Sequence, residues 1–452
     1  MNILFFRPTP PKETIGLQHV MIVEPLELEI LATLVAKDNK VIIIDLILEK
    51  HTAGYFIEKI NPDIVCVTGY ITHTLQMIDL CRKAKSINNN IITIVGGVYI
   101  EKVPEAIDHE AIDYRVVRNA VQSFPQLVYF LKDEAEFPLG VLRKGEEINE
   151  EKLPLYNFEV PIPDRRFTQK YRSKYFYVFH NKVALLKTSF GCPFPCSFCF
   201  CRKITGDNYF ERPFDEVIEE LKTIKEKEVY IIDDNFLVSA TRVRNFFSLL
   251  KQHKIRKKYL IYGRADFIAR HPDIMREFKQ YGLRTIIVGF ESFEDNELDS
   301  LNKKTLASTN EEAMRILNQN DIDCYASVIA MPGWDKTDFE RATQKMIDLK
   351  IRFLNIQPLT PLEKTDIVFD DKNLIIDRKD YAKWDLAHLV IRPEKLTVKD
   401  YYSQILRMYV RVLFQPTNLL HHIKYPLYMQ VRLLWGAYKV KRQYLRKTSE
   451  SK

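Results

Sequence analysis

The chain has 452 residues, which exceeds what one hydrophobic core usually serves, so its length predicts two or three domains. Hydrophobic residues make up 46% and charged residues 28%, an ordinary globular composition, and no apolar run approaches the roughly 20 residues that span a bilayer. The formal net charge of +7 comes from the C-terminal region, and we expect a cytoplasmic protein rather than a secreted or membrane-spanning one.

The first 135 residues alternate apolar strand patterns with amphipathic helical patterns. The strand patterns cover residues 2–7, 41–47, 63–70 and 91–100, and the helical patterns cover 25–37 and 74–86. Near-continuous β-branched runs separated by helices predict an α/β, Rossmann-like domain over residues 1–135, with a parallel sheet covered on both faces. Gly69, Gly96 and Gly97 end two of the strands, where small residues let a large flat ligand approach the backbone. The commoner role of a glycine, in a tight turn, stays open.

Residues 136–182 lose this alternation and include the proline-rich stretch LPLYNFEVPIPDRR, which we interpret as a linker. A second series of strand patterns follows, with helical stretches between them. Its strands cover residues 183–189, 229–236, 260–266, 284–292, 323–333 and 352–361. Six βα units with right-handed crossovers predict a partial (β/α)6 barrel over residues 183–375, smaller than the closed eight-unit form. In that architecture, function belongs at the carboxyl ends of the strands.

Four of the seven cysteines lie within ten residues, directly after the first strand of this second series. The odd number and the crowding argue against a secreted disulfide framework and for metal or redox chemistry. Cys192, Cys196 and Cys199 form CxxxCxxC in a loop rich in glycine and proline, so their thiolates can converge. A structural zinc site would need a fourth ligand, whereas three thiolates on a 4Fe-4S cluster leave one iron open. We expect Cys201, which is outside the spacing, to pack beside the loop.

The segment SFGCPFPCSFC resembles the signature of the radical SAM superfamily in its cysteine spacing and in the aromatic residue before the last cysteine. The resemblance implies that Cys192, Cys196 and Cys199 hold a 4Fe-4S cluster whose fourth iron is chelated by S-adenosylmethionine. An electron from the reduced cluster would cleave the sulfonium and release a 5'-deoxyadenosyl radical, which abstracts a substrate hydrogen. Such a reduction implies a low-potential electron donor such as flavodoxin or ferredoxin.

The same resemblance assigns residues at the ends of several strands to S-adenosylmethionine. They are Phe198, Asp233, Asp234, Arg264, Glu291 and Ser292. Phe198 would lie beside the adenine, and the DDNF segment would meet the methionyl amine. GRAD resembles a stretch of the family, and GFES resembles the GxES sequence that contacts the ribose and methionine. The acids could instead be solvated residues at strand ends, the usual fate of such side chains.

A Rossmann-like domain ahead of such a barrel resembles the cobalamin-binding class of radical SAM enzymes, which includes methyltransferases and the anaerobic magnesium-protoporphyrin ester cyclase. The segment IVGGVYIEKVPEAI resembles the glycine-rich segment of that class. The resemblance implies a bound cobalamin, with Gly69, Gly96 and Gly97 in contact with its corrin or nucleotide tail. No DxHxxG occurs, so no histidine of that motif supplies the lower cobalt ligand, and residues 118–121 replace the GEGE-like stretch of many relatives.

The resemblance implies methyl transfer to an unactivated carbon as the activity. The alternatives are ring formation by radical chemistry, another radical SAM oxidoreductase with a vestigial cobalamin domain, and a non-catalytic metal-binding module. Methyl transfer and ring formation would begin with the same hydrogen abstraction, so the sequence does not separate them. The substrate would be a small molecule, a tetrapyrrole or a lipid.

Residues 376–452 form a basic C-terminal region with helical patterns over 401–414 and 428–447. From Tyr401 to the end, ten Lys or Arg residues accompany one acid, so this region carries +9 and the rest of the chain about −2. We expect a packed helical cap with a solvated basic face, in which His421 and His422 are solvated. The alternative is peripheral contact with an anionic membrane surface. No nucleic-acid recognition motif accompanies the charge, so nucleic acid is not an expected partner.

Overall fold

The computed structural model describes residues 1–16 and 19–450, and it contains two units built on separate parallel sheets. Neither unit is a continuous stretch of chain. The first comprises Met1–Thr14, Glu24–Lys174 and Arg378–Asp385, and the second comprises Ile15–Val23, Tyr175–Asp377 and Leu386–Lys452. The predicted domains are continuous, and the units differ from them at two short segments. Residues 15–23, predicted in the first domain, belong to the second unit, and residues 378–385, predicted in the C-terminal region, belong to the first. Residues 136–174 of the predicted linker also belong to the first unit.

The described residues contain the ten predicted strands, in the predicted order, and seven strands of two or three residues that the sequence did not predict. They are β1 (Asn2–Arg7), β2 (Met21–Ile22), β3 (Lys40–Asp45), β4 (Ile64–Thr68), β5 (Ile92–Gly96), β6 (Tyr114–Val116), β7 (Val141–Arg143), β8 (Phe176–Tyr177), β9 (His180–Asn181), β10 (Val183–Leu186), β11 (Ser189–Phe190), β12 (Phe210–Glu211), β13 (Glu228–Ile231), β14 (Lys258–Gly263), β15 (Leu283–Glu291), β16 (Asp323–Ala330) and β17 (Phe353–Pro358).

Helices connect most of these strands. They are α1 (Leu26–Val35), α2 (Ala53–Ile60), α3 (Thr74–Ile87), α4 (Ala120–Phe130), α5 (Cys201–Ile204), α6 (Phe214–Thr223), α7 (Ala240–Gln252), α8 (Ala265–Arg270), α9 (Pro272–Gln280), α10 (Asp295–Ser300), α11 (Ala307–Gln319), α12 (Lys336–Asp348), α13 (Val398–Leu413), α14 (Pro416–His422) and α15 (Leu427–Glu450). No helix in the part of the chain that the structure describes is long and apolar enough to cross a membrane.

The first unit contains a six-stranded sheet in the order β3-β1-β4-β5-β6-β7. Its strands pair in parallel except β7, which runs antiparallel to β6 at the edge. Successive residues of β1 enter different cores, since Leu4 and Phe6 join one cluster and Ile3 and Phe5 the other. Burial on both faces explains why these strands are continuous apolar runs, as a parallel sheet requires.

The second unit contains a six-stranded sheet in the order β10-β13-β14-β15-β16-β17, and every pairing is parallel. Consecutive strands of the series are therefore neighbours, and their carboxyl ends share one edge. Alternate residues face the helices: Cys324, Ala326 and Val328 of β16 belong to the large core cluster. The intervening residues of each strand lie on the opposite, inner face of the sheet.

Nine of the ten predicted strands end earlier than their apolar patterns predict, and two of them show the cause. The predicted strand 91–100 ends at Gly96, because Gly97 adopts a φ of +132° that interrupts the extended backbone. The predicted strand 260–266 ends at Gly263, because α8 begins at Ala265. Apolar residues continue into these turns because the turns are buried as well, and hydrophobicity alone does not mark where pairing stops.

The C-terminal helices belong to the second unit. The Tyr401 hydroxyl of α13 donates a 2.7 Å hydrogen bond to the carbonyl of Ala330 at the end of β16. The prediction that His421 is solvated was wrong: its side chain is buried, with Nε2 2.8 Å from a carboxylate oxygen of Asp323. Tyr425 donates a hydrogen bond to the same carboxylate. These contacts attach the α14 segment to the amino end of β16.

Candidate active site

The cysteine loop follows β11, at the carboxyl end of β10. Gly191 begins it with a φ of +77°, and a Cβ there would lie 2.2 Å from the carbonyl oxygen of Asn208, so only glycine fits. Backbone hydrogen bonds of Ser197 then fix the middle of the loop, from its N–H to the Leu301 carbonyl at 3.1 Å and from the Asp366 N–H to its carbonyl at 2.9 Å. Two distant segments therefore hold the loop in one conformation.

The three cysteines of the motif differ in their surroundings. Burial raises the pKa of Cys192 to about 11 and also raises the pKa of Cys196. A hydrogen bond from the Cys201 thiol lowers the pKa of Cys199 to about 7. Cys201 thus contacts a sulfur of the motif directly, whereas the sequence predicted only that it packs beside the loop.

A cation stands next to the thiols. Arg264 Nη1 lies 3.5 Å from Cys196 Sγ, and the guanidinium stacks 3.9 Å from the centre of the Phe194 ring. Its other nitrogens bind Asp266 at 2.9 Å and the Lys303 carbonyl at 2.8 Å, so the group is held in place from several sides. A fixed positive charge offsets the charge of thiolates, which fits a three-thiolate cluster site.

No three His, Cys, Asp or Glu side chains within residues 1–16 and 19–450 are placed around a single metal-ion position. This geometry concerns single ions. A cubane cluster binds each of its thiolates through a different iron, so the three thiols of a cluster loop do not have to point at one atom.

Asp233 fastens the end of β13 to the start of the cysteine loop. Its buried carboxylate accepts four hydrogen bonds, from the backbone N–H and the hydroxyl of Thr188 and from those of Ser189, at 2.5–3.0 Å. Burial raises the pKa of Asp233 despite these bonds. Because its lone pairs are engaged within the protein, this side chain positions the loop rather than presenting a free carboxylate.

Asp234 lies next to it and faces the loop. Its Oδ2 accepts a 3.0 Å hydrogen bond from the N–H of Gly191 and lies 3.5 Å from Lys187 Nζ. The side chain is partly exposed at 19%. Asp234 therefore touches the residue that precedes Cys192 and keeps part of its surface accessible.

Glu291 ends β15 in a strained conformation. Its φ is +63°, uncommon for a residue with a side chain, and the pairing with β16 shifts register between Gly289 and Glu291. Its carboxylate forms a buried 2.9 Å ion pair with Lys303 Nζ. The same ammonium lies 5.6 Å from the centre of the Phe198 ring. Lys303 thus joins two residues that the sequence assigned separately to the cofactor, and backbone strain of this kind clusters at functional sites.

Ser292 is buried, and its hydroxyl donates a 2.5 Å hydrogen bond to Glu297. Its carbonyl accepts a hydrogen bond of 2.8 Å from Asn310, which also binds the carbonyl of Phe290 at 3.1 Å. Local contacts therefore use the polar atoms of Ser292, and Asn310 holds the turn that follows Glu291.

The inner face of the second sheet carries polar residues that the sequence analysis did not single out. Ser327 on β16 and Asn355 and Gln357 on β17 are half-buried, and their side chains have no hydrogen-bond partner among the described residues. Their neighbours Cys324, Val328 and others of the same strands face the helical core instead. Once the bounds of β16 and β17 are known, the alternation of side chains along a strand identifies these three residues, because they occupy the positions opposite the core.

The three predicted glycines of the first unit lie together. Thr68 and Gly96 are paired residues of β4 and β5, so Gly69 and Gly97 follow neighbouring strands. A Cβ on Gly97 would lie 2.4 Å from the Gly69 carbonyl oxygen, and one on Gly69 would lie 2.6 Å from His73 Cβ. A Cβ on Gly96 would meet nothing closer than 3.6 Å. The structure therefore needs glycine at positions 69 and 97, whereas position 96 has room for a side-chain carbon.

Comparison with known proteins identifies two domains. Residues 186–346 match the radical SAM superfamily, and residues 14–128 match the B12 binding domain. The hopanoid C-3 methylase of Methylococcus capsulatus is 27% identical over 420 residues, covering 90% of this chain and 79% of the methylase. The anaerobic magnesium-protoporphyrin IX monomethyl ester cyclase of Rubrivivax gelatinosus is 25% identical over 371 residues, covering 78% of this chain and 66% of the cyclase.

Among solved structures, the radical S-adenosylmethionine methyltransferase TsrM from Kitasatospora setae, with cobalamin and a [4Fe-4S] cluster bound, superposes with a TM-score of 0.69. The sequences are 14% identical, and the superposition covers 92% of this chain and 89% of TsrM. At that identity the likeness concerns the fold. It extends over both units of the chain.

Proposed function

Since the chain belongs to the radical SAM superfamily and carries a B12 binding domain, we propose that it transfers a methyl group to an unactivated carbon of a small molecule. The observation that carries the proposal is the loop of Cys192, Cys196 and Cys199, fixed at the carboxyl edge of a parallel sheet in a chain that also contains the B12 binding domain. The hopanoid methylase relative, which covers most of the chain, supports methyl transfer.

The three motif cysteines would hold the 4Fe-4S cluster. When bound, the cluster supplies the electron that cleaves S-adenosylmethionine, and cobalamin supplies the methyl group. Arg264 beside Cys196 would stabilise the thiolates, and Asp233 would keep the start of the loop in position through Thr188 and Ser189. The protein's part in this chemistry is binding, orientation and the exclusion of side reactions.

The cluster of Glu291, Lys303 and Phe198 is the proposed contact for S-adenosylmethionine. A half-buried ring beside a buried ammonium and carboxylate can bind an aromatic base and hydroxyls together. Asp234, which keeps an exposed surface next to the loop, is the proposed partner of the methionyl amine. For Ser292, whose hydroxyl is used by Glu297, we propose a role in shaping the turn.

In the first unit, Gly69, Gly96 and Gly97 would contact the cobalamin. Two neighbouring strands end in backbone without side chains there, which leaves room for a large ring or a nucleotide tail. We propose that the second sheet curves into a partial (β/α)6 barrel and that the C-terminal helices close its cavity.

The substrate would be a small molecule, such as a tetrapyrrole or a lipid, and the reductant a low-potential donor such as flavodoxin or ferredoxin. The half-buried polar residues Ser327, Asn355 and Gln357 would form hydrogen bonds with a ligand on the inner face of the sheet. Ring formation is the second candidate, because a cyclase relative covers 78% of the chain. A product that gains one methyl group distinguishes methyl transfer from ring formation.

Anaerobic reconstitution with iron and sulfide tests the proposal. The protein should bind iron and sulfide, release 5'-deoxyadenosine from S-adenosylmethionine with a strong reductant, and bind cobalamin with a corrin spectrum. The triple variant Cys192→Ala, Cys196→Ala, Cys199→Ala should lose the first two properties. The matched control Cys201→Ser should keep them. If the triple variant releases 5'-deoxyadenosine as fast as the wild type, the proposal is wrong.

A further inference from the structure

The C-terminal helix α15 exposes an apolar face. Leu427, Val431, Leu434, Trp435 and Tyr438 are between 48% and 73% exposed. Their spacing of three and four residues places them on one side of the helix. The opposite side, with Met429, Gly436 and Tyr444, is buried against the second unit. The helix is therefore fixed with its apolar face outward.

The preceding helix α14 adds to this surface. Leu419, Leu420 and Ile423 are 46%, 67% and 68% exposed. Leu419 and Leu420 belong to α14, and Ile423 belongs to the four-residue connection 423–426 that leads into α15. We call the exposed apolar residues of 419–438 the apolar face. Such a concentration of large apolar side chains at the surface marks a site of contact, since scattered single ones need no explanation.

Basic residues surround the apolar face, and acidic residues are missing from the sequence around it. Residues 401–449 contain no Asp or Glu. The Lys and Arg residues of this stretch are Arg407, Arg411, Lys424, Arg432, Lys439, Lys441, Arg442, Arg446 and Lys447. On α15, Lys439, Lys441 and Arg442 follow the apolar residues directly and are exposed. Acids from other segments pair with Lys424 (Asp321, 3.0 Å) and Arg411 (Glu340), whereas Lys439, Lys441 and Arg442 follow the apolar residues in a stretch without acids. An apolar face with such a basic end matches a surface that is apolar inside and anionic outside.

We propose that the apolar face docks on an anionic lipid membrane, with α15 lying in the plane of the interface. The aliphatic side chains would enter the boundary between headgroups and acyl chains, as in other interfacial helices. Trp435 and Tyr438 suit that depth, because their rings are apolar and their N–H or O–H groups reach water or headgroups. Lys439, Lys441 and Arg442 would bind lipid phosphates.

A second copy of the chain fits this surface less well. A symmetric dimer through the apolar face would pack one positively charged helical region against another, and no acid within residues 401–449 could neutralise the charge. Nucleic acid would engage the basic residues and leave the aliphatic ones exposed. An anionic membrane is the partner that engages both kinds of residue at once.

The inference goes beyond the proposed function and does not depend on it. Docking requires only the helices of residues 416–447, whereas methyl transfer requires the cysteine loop and the B12 binding domain. The two meet in one consequence, namely that an enzyme held at a membrane has access to a lipid substrate without extracting it into water.

Vesicle co-sedimentation with the full-length protein tests docking. The probes are vesicles of phosphatidylcholine alone and vesicles in which about one lipid in three is phosphatidylglycerol. We expect the protein to bind the anionic vesicles at least tenfold more tightly than the neutral ones, and binding to weaken when the salt concentration is raised. Absence of binding to the anionic vesicles would overturn the proposal.

The variant Val431→Ser, Leu434→Ser, Trp435→Ser removes the centre of the apolar face and should weaken vesicle binding at least tenfold. The control Leu139→Ser, Leu155→Ser removes exposed apolar residues, 66% and 91% accessible, from the first unit and should bind as the wild type does. Equal binding by the triple variant and the wild type would contradict the proposal.

Sedimentation velocity without lipid tests whether a second copy of the chain occupies the apolar face instead. A dimer that the Val431, Leu434 and Trp435 variant abolishes, together with no vesicle binding, would assign the apolar face to self-association and overturn the proposal. The far-ultraviolet circular dichroism and the thermal unfolding midpoint of the same variant should equal those of the wild type, which shows that the variant is folded. Vesicle binding by a protein that cleaves no S-adenosylmethionine would refute the proposed function and leave the docking inference standing.

Discussion

Lys303 connects the parts of the candidate active site. It neutralises Glu291 in a buried ion pair, lies near the Phe198 ring, and its carbonyl accepts a hydrogen bond from Arg264. The sequence did not reveal this residue, because it stands twelve positions after Glu291 and follows a separate helix, α10. By contrast, Cys192, Cys196 and Cys199 are recognisable because their spacing within one loop carries the information. Contacts between distant segments leave no such pattern.

The substitution Lys303→Met should destabilise the second unit by about 3–5 kcal/mol, because it leaves the buried Glu291 carboxylate without its cation. We expect a lower denaturant midpoint and weaker binding of S-adenosylmethionine. The neighbouring and exposed Lys304 provides the control, since Lys304→Met removes the same charge without breaking a buried pair. Equal midpoints for the two variants would show that the ion pair does not stabilise the fold.

The last residue of β5, Gly96, and the residue that follows it, Gly97, make a matched pair. Gly97→Ala should reduce cobalamin affinity at least tenfold, because the new Cβ would lie 2.4 Å from the Gly69 carbonyl in a backbone conformation with φ of +132°. A Cβ in Gly96→Ala would meet no protein atom closer than 3.6 Å, so this variant should keep the backbone intact and lose less affinity than Gly97→Ala, and any loss would come from contact with the cobalamin itself. Titration of the corrin absorbance measures both. Similar losses in both variants would mean that backbone geometry is not the cause.

His73, next to Gly69, makes the stability of the first unit depend on pH. Burial and the nearby Arg7 lower its pKa to about 4, so between pH 6.5 and 4 the unfolded chain binds a proton that the folded unit does not. Stability should therefore fall as the pH falls through this window, by up to about 3 kcal/mol. His73→Gln should make the unfolding free energy flatter over that range, and an unchanged slope would assign the pH dependence to other groups.

The strands of the second sheet illustrate what a pattern of apolar residues can and cannot provide. The position of each strand was predictable, because buried parallel strands are continuous runs of apolar and β-branched residues. Their ends were not, since Gly263 and the turn that follows it are as buried as the strand itself. The inner-face polar residues Ser327 and Asn355 were missed because they interrupt the apolar run only singly.

Asn355 separates a role in binding from a role in folding. The Asn355 side chain has no hydrogen-bond partner among the described residues. Asn355→Leu should therefore leave the free energy of unfolding within about 0.5 kcal/mol of the wild type while lowering kcat/KM at least tenfold. Asn310→Leu should instead lower the free energy of unfolding, because the Asn310 amide donates hydrogen bonds to the carbonyls of Phe290 and Ser292. A destabilised Asn355 variant, or one with full activity, would remove this residue from the ligand-binding face.

Which segments of the chain form the first unit could not be predicted from the sequence. Its last segment, Arg378–Asp385, follows the whole second sheet along the chain. The Thr14 hydroxyl, in the first segment of the unit, donates a 2.9 Å hydrogen bond to the carbonyl of Ala382 in this last segment. Trp384 of the last segment is 2% exposed. Hydrophobic patterns report local periodicity, and they carry no record of which distant segment a short apolar stretch will join.

Trp384→Ala should therefore destabilise the first unit by about 3–5 kcal/mol and weaken cobalamin binding, although residue 384 is far from the B12 binding domain in sequence. Trp435→Ala removes the same side chain from an exposed position and should leave both properties unchanged. Thermal unfolding followed with cobalamin titration tests the pair. If Trp384→Ala binds cobalamin normally and melts as the wild type does, the segment is not an integral part of the unit.

The interleaving of the two units also limits how a protein of this kind can be rearranged. Each unit is assembled from three stretches of polypeptide, and every stretch of one is flanked by a stretch of the other. In a recombinant chimera with a single junction between residues 24 and 377, each of the two units would contain sequence from both parents. Exchange of one whole unit would need five junctions, so we expect this architecture to tolerate point changes more readily than the exchange of whole units.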